Sequence, residues 1–212
     1  MKNSNPLGNC LKMETPSLER FYPADDEELG ITRSKISEKD THRHYRRYGQ
    51  VIELIKKNVS DIHKIADIGS GSGYGTNQLR MEFGNIVQGV EPNDFARKYA
   101  TKHYPDVPFA DDADPDADVF VFVESIEHMT PAEFRSYTKG AGCVIITTPL
   151  IDDCNNEYHI QSFDTAEDVN TALYRAGFVP IDEKVEVGIT FTTGEKGSQY
   201  YGLYGRIPES DR

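Results

Sequence analysis

Ile65–Gly75 reads IADIGSGSGYG, an apolar run ending in an acid, then glycines at alternate positions: Gly69, Gly71, Gly73 and Gly75. Sixteen residues beyond Gly75 comes the acid of a second such unit, Glu91 in VQGVEP. A strand, a glycine turn, a helix and a second strand capped by an acid make a nucleotide-binding βαβ unit. Spacing decides which nucleotide. A dinucleotide fingerprint needs a glycine five positions after its first; from Gly69 that position is Tyr74, and from Gly71 it is Thr76. The pattern fails in both registers, which leaves D-x-G-x-G-x-G from Asp67 to Gly73. An acid at the strand end repels a pyrophosphate and favours a cationic ligand end. The glycines let the backbone approach a ligand and take positive φ where the turn requires it.

Outward from this unit, β and α alternate. Tyr48, Ile52 and Ile55, with Val51 and Leu54 beside them, give residues 41–58 a helical period. Strands are predicted over 64–68, 86–90, 118–123 and 143–148, and helices over 75–83, 93–103, 131–139 and 165–176. Asn93 or Asp94 is positioned to cap the second of these helices. Pro131 sits in the first turn of the third, and Gly177 closes the last. Residues 185–193 and 199–207 flank GEKG, a hairpin signal. Alternating βα units with a terminal antiparallel hairpin predict a three-layer α/β, Rossmann-like sheet, mostly parallel.

At 212 residues the chain suits one domain with an appended segment. No apolar run is long enough to span a membrane, and residues 1–20 lack the apolar core of a secretory signal. Cys10, Cys143 and Cys154 fit neither a disulfide framework nor zinc spacing, so a cytoplasmic location is expected. The net charge of −12 weighs against extended duplex binding. The charge is uneven, however. Six aspartates crowd residues 105–118, whereas residues 33–57 hold Arg33, Lys35, Lys39, Arg43, Arg46, Arg47, Lys56 and Lys57. The basic segment leaves a short anionic substrate open.

A second constellation follows the third predicted strand, in VESIEHMTPAEF. Side chains at the carboxyl end of a parallel strand stand at the rim where ligands bind. With a helix beginning about Ser125, Glu124 and His128 would share a face at i, i+4, with Glu127 beside them. His159 follows the next strand. Two carboxylates and two imidazoles suit a divalent cation. Without metal, His128 or His159 is a candidate general base.

The D-x-G-x-G-x-G turn followed by Glu91 resembles motif I of the class I S-adenosylmethionine (SAM) methyltransferases. The resemblance implies that Gly69, Ser70, Gly71 and Gly73 line the cofactor. It also implies that Asp67 lies near the methionine amino group, and that Glu91 and Pro92 sit at the ribose. Asp111 or Asp112 would contact the adenine amine. The order E-x-x-E-H, strand, T-P, H-x-x-x-F, helix, G-F is similar to methyltransferases of ubiquinone-type and small-molecule biosynthesis. It is also similar to the small-RNA 3′-end 2′-O-methyltransferases. By that likeness Glu124, Glu127, His128 and His159 would hold a divalent cation, Mg or Mn. A lead-in matching at Glu19, Arg20, Phe21 and Pro23, and again at His44 or His42 with Arg47 and Tyr48, implies an arm over the cofactor. Arg47 would meet the methionine carboxylate. The expected layout is a tail and arm over residues 1–48 and a methyltransferase domain over 49–212. The expected reaction is methyl transfer to an O or N nucleophile of a small-molecule acceptor. The alternatives are metal-assisted 2′-O-methylation of an RNA or nucleotide, and a non-catalytic SAM-binding scaffold.

Overall fold

In a computed structural model, residues 27–28, 38–150, 159–190, 196–208 and 210 are described. The lead-in residues Glu19, Arg20, Phe21 and Pro23 lie outside this set, as does the start of the GEKG turn. Five α-helices and seven strands follow in the order α1 (Glu38–Asn58), β1 (Ile65–Ile68), α2 (Tyr74–Phe83), β2 (Val87–Val90), α3 (Asp94–His103), β3 (Phe109–Ala110), β4 (Val119–Val123), α4 (Pro131–Tyr137), β5 (Cys143–Leu150), α5 (Ala166–Arg175), β6 (Phe178–Thr190) and β7 (Lys196–Arg206).

The strands form one sheet in the order β3-β2-β1-β4-β5-β7-β6, parallel except where β7 pairs antiparallel with β5 and β6. Chain order reverses between the neighbours β1 and β4. That is the switch point where open α/β sheets leave a crevice outside the strands' carboxyl ends. Both faces of the sheet are covered. The valines of β4, Val119, Val121 and Val123, point with Ile65 and Ile145 into a core shared with Tyr48, Val51 and Ile55 of α1 and Leu79 of α2. Phe120 and Phe122 point the other way, into a core with Phe134 of α4 and Val169 and Leu173 of α5. Period-two side chains buried on both faces explain the continuous apolar run of β4.

The caps behave as local chemistry dictates. Asn93 accepts from the N–H groups of Phe95 and Ala96 and so starts α3. Thr130 with Glu133, and Thr165 with Asp168, form reciprocal capping boxes that start α4 and α5.

Two expectations need correction, and one element was not anticipated. No helix begins near Ser125: residues Ile126–His128 form a short 3-10 turn, and α4 starts only at Pro131, fixed by the Thr130–Glu133 box. Strand β6 starts at Phe178 rather than 185, because register shifts at Pro180/Asp182 and Val187/Ile189 break the alternation from which a strand is read. The two-residue β3 gave no periodic signal. In addition, α1 runs unbroken through residues 48 and 49. Among the described residues no helix is long and apolar enough to cross a membrane.

Candidate functional site

The glycine loop between β1 and α2 turns left-handed three times, at Gly69 (φ +76°), Gly71 (+54°) and Gly73 (+83°). Each conformation is one that L side chains rarely adopt. Two of these positions are also crowded. A Cβ at Gly69 would lie 2.7 Å from the Cβ of Ser125 at the end of β4, and one at Gly73 would lie 2.6 Å from the Phe109 ring. Gly71 differs, since a Cβ there would meet nothing within 4 Å. The middle of the loop therefore borders open space at the switch point.

Glu91, immediately after β2, faces this loop. Its carboxylate accepts from the N–H of Gly71 at 2.8 Å through Oε2 and from the N–H of Asn93 at 2.8 Å through Oε1. Burial raises its pKa, and the Asn93 and Gly71 hydrogen bonds oppose that shift. Arg97 donates to the Glu91 carbonyl at 2.7 Å and fixes the turn that carries Pro92. The carboxylate is thus held on one side, with acceptor capacity left for a neighbouring diol. The hydroxyls of Ser70, Ser72 and Ser125 are buried without a hydrogen-bond partner. Orphaned donors of this kind mark a place for a missing polar partner. Asp111 and Asp112 are exposed and follow β3, whose Ala110 carbonyl accepts from the Glu91 N–H at 2.9 Å. They therefore stand on the same rim as Glu91.

Asp67 is fully buried at β1. Thr76 Oγ1 donates to its carboxylate at 2.7 Å, and Tyr48 Oη donates at 3.1 Å. Burial pushes the Asp67 pKa up to about 7, although both hydrogen bonds pull the other way. Tyr48 was legible as part of the apolar face of α1 and of the lead-in match, but its hydrogen bond to Asp67 was not. The signal for its second role was Gly75, which the D-x-G-x-G-x-G pattern does not require. A Cβ at Gly75 would lie 2.0 Å from the Tyr48 ring, so the ring rests on that glycine. Tyr74 stacks edge-on with Tyr48 and His44 and lies tilted against Tyr45, continuing an aromatic wall from α1 to α2.

The second constellation divides into two groups. Glu127 is buried, and Thr148 Oγ1 donates to it at 3.2 Å. Burial and then the charge of Glu124 hold its pKa well above the usual range. Ligand atoms of Glu127, His128 and His159 all lie within 4.8 Å of one another, and the two imidazole rings are 5.0 Å apart. The N–H groups of Ile160 and Gln161 donate to the Glu127 carbonyl, which ties the His159 segment to the 3-10 turn. Glu124 is not part of this group. It adopts φ +54°, accepts from Thr147 Oγ1 and Gln199 Nε2, and pairs with Arg47 at 3.3 Å.

No protein-family model and no curated protein matches the sequence. Among solved structures, the chain is similar to magnesium protoporphyrin IX methyltransferase from Synechocystis with bound S-adenosylhomocysteine, at 13% identity over 85% of this chain and 92% of that one, with a TM-score of 0.60. It is also similar to 1,6-didemethyltoxoflavin-N1-methyltransferase from Burkholderia thailandensis, at 15% identity over 80% and 82% of the two chains, with a TM-score of 0.59. The methyltransferase domain of a bacterial Hen1 protein aligns at 16% identity over 76% and 97%, with a TM-score of 0.51. The fold is therefore that of the class I SAM-dependent methyltransferases.

Proposed function

We propose that this chain is a SAM-dependent methyltransferase acting on an O or N nucleophile of a small-molecule acceptor. One observation carries the reading. The thrice left-handed glycine loop faces a carboxylate fixed by two backbone N–H groups, with three orphaned serine hydroxyls around the loop and at the adjoining end of β4. The residues fit the cofactor. Glu91 accepts from the ribose hydroxyls. The Gly69–Gly73 backbone and Ser70 line the cofactor, and Asp67 lies beneath Tyr48 on the methionine side. Asp111 or Asp112 reaches the adenine amine. SAM, when bound, supplies an electrophilic methyl on a sulfonium. The protein's share is alignment, which is most of what such a transfer needs. His128 or His159, on the acceptor side, takes the proton from the nucleophile.

Calorimetry with SAM and S-adenosylhomocysteine tests the reading. Saturable binding of both is expected, and binding of neither removes it, together with the SAM-binding scaffold alternative. Binding without methyl transfer to any offered acceptor class would favour the scaffold.

The Glu127–His128–His159 group supports a second, metal-assisted reading. A divalent cation there would orient an acceptor hydroxyl or diol and lower its pKa. Mn²⁺ or Mg²⁺ is expected to raise the melting temperature of EDTA-stripped protein. No change in melting temperature or in activity rejects the cation. The small-molecule acceptor is favoured over RNA because the net charge is −12 and four of the eight bases of the basic segment are paired with acids. Arg46 pairs with Glu186, Arg47 with Glu124, Lys56 with Glu82 and Lys57 with Asp182. A salt-dependent RNA gel shift would reverse that preference.

A further inference from the structure

Glu124 ends β4 in a left-handed conformation, φ +54°. A non-glycine residue is strained there and persists only when its surroundings hold it. Side chains from three elements do so. Thr147 of β5 donates to Glu124 Oε1 at 3.1 Å, Gln199 of β7 donates to the same oxygen at 2.6 Å, and Arg47 Nη2 of α1 lies 3.3 Å from Oε2. Gln199 in turn accepts from Arg47 Nε at 3.2 Å, closing a ring of Arg47, Glu124 and Gln199. The two charged side chains are only 10% and 16% exposed. An ion pair buried this far adds little net stability after desolvation. What it yields is a guanidinium fixed in place. That guanidinium lies where its charge acts on Tyr74, next to the glycine loop, and on Glu127 on the acceptor side. Its Nη1 makes no hydrogen bond to the described residues.

We propose that Glu124 is a positioning residue for the cofactor rather than a ligand of a cation. With Gln199 it holds Arg47 so that the guanidinium edge that no described residue takes meets the carboxylate of the cofactor's amino-acid end. A planar fork anchored along one edge presents the other with little entropy left to lose. This rests on the SAM reading, and the experiment separates the two.

Calorimetry would compare SAM, decarboxylated SAM and 5′-methylthioadenosine, which keeps the adenosine half and lacks the amino-acid end. Wild-type protein is expected to prefer SAM over its decarboxylated form. Arg47→Met should shrink that preference by roughly tenfold to a hundredfold, the loss of a charge-assisted pair. Glu124→Gln should shrink it by about three- to tenfold, through lost positioning. Both variants should bind 5′-methylthioadenosine as wild type does, a result that a general folding defect would not give. If Glu124→Gln fails to bind even that probe, Gln199→Leu decides, since it removes the second anchor of Arg47 and should shrink the preference comparably. The proposal is overturned by a wild-type preference near one, or by an unchanged preference in a variant that retains 5′-methylthioadenosine binding. Wild-type protein that binds none of the three probes overturns the SAM reading, and this proposal with it.

Discussion

Gly75→Ala tests the join between α1 and the glycine loop. The added Cβ would lie 2.0 Å from Tyr48 Cε2 and 2.1 Å from Cζ. No real Cβ contact is that short, so the ring must leave its place. The Tyr48 ring is buried, and its hydroxyl donates to the buried Asp67 carboxylate. Expelling the ring forfeits roughly 2 kcal/mol of burial and about 1.5 kcal/mol for a hydrogen bond to a charged acceptor. Alanine returns about 1 kcal/mol of helix propensity in the first turn of α2. The net expectation is a destabilisation of about 2.5 kcal/mol, read as a lower urea midpoint at unchanged m-value. A double-mutant cycle gives the sharper result. In a Tyr48→Ala background the clash is gone, so Gly75→Ala should become neutral or stabilising by up to about 1 kcal/mol. Equal destabilisation in both backgrounds would show that Tyr48 does not dictate this glycine.

Three further outcomes follow from the same structure. Asp67 has its pKa raised to about 7, so its contribution is full below the ordinary carboxylate pKa of roughly 3.9 and is lost as pH rises through 7. Between pH 4 and 8, wild-type protein should lose on the order of 4 kcal/mol relative to Asp67→Asn; a pH-independent difference in urea midpoint contradicts this. Glu91→Gln should weaken SAM binding by roughly ten- to a hundredfold, through poorer acceptance of the ribose hydroxyls. Unchanged affinity by calorimetry removes Glu91 from the site. Tyr204 Oη donates to Asn170 at 2.6 Å and lies 2.5 Å from Tyr200 Oη beneath α5. Tyr204→Phe should cost about 1–2 kcal/mol by stranding buried partners, and an unchanged melting temperature would refute that accounting.

Legibility in the sequence tracked how local each signal is. The βαβ unit was readable because glycine spacing and an acid at a strand end are contiguous constraints, and β4 because five apolar residues in a row fit a strand buried on both faces. The start of α3 was readable from Asn93, one of the two caps the sequence offers, whose side chain acts within three residues. What sequence did not reveal depends on distant partners. Gln199 gave no signal, because its role comes from Arg47 and Glu124 across intervals of 152 and 75 residues. Glu124 shares E-x-x-E-H with Glu127 and His128, yet its backbone turns left-handed and sends the carboxylate to α1. A pattern read on an assumed helix could not anticipate that turn.

Two consecutive residues of α1 fasten it to the site. Arg47 reaches Glu124 at the end of β4 and Gln199 within β7, and Tyr48 covers Asp67 of β1 and Gly75 at the start of α2. Successive helix residues point about 100° apart, so the two side chains grip different strands and resist rotation of α1 about its axis. Neither fastener can release without disturbing a residue assigned to the cofactor side. On the proposed reading, cofactor binding at the glycine loop and order in α1 are linked equilibria. A ligand that binds only while α1 is fastened in this way must stabilise α1 by its own binding free energy, about 2.7 kcal/mol at a hundredfold excess over Kd. Amide exchange along α1, measured with and without S-adenosylhomocysteine, should show protection concentrated on the turn bearing Arg47 and Tyr48. Equal exchange in the two states would show that α1 is part of the scaffold and plays no part in holding the cofactor.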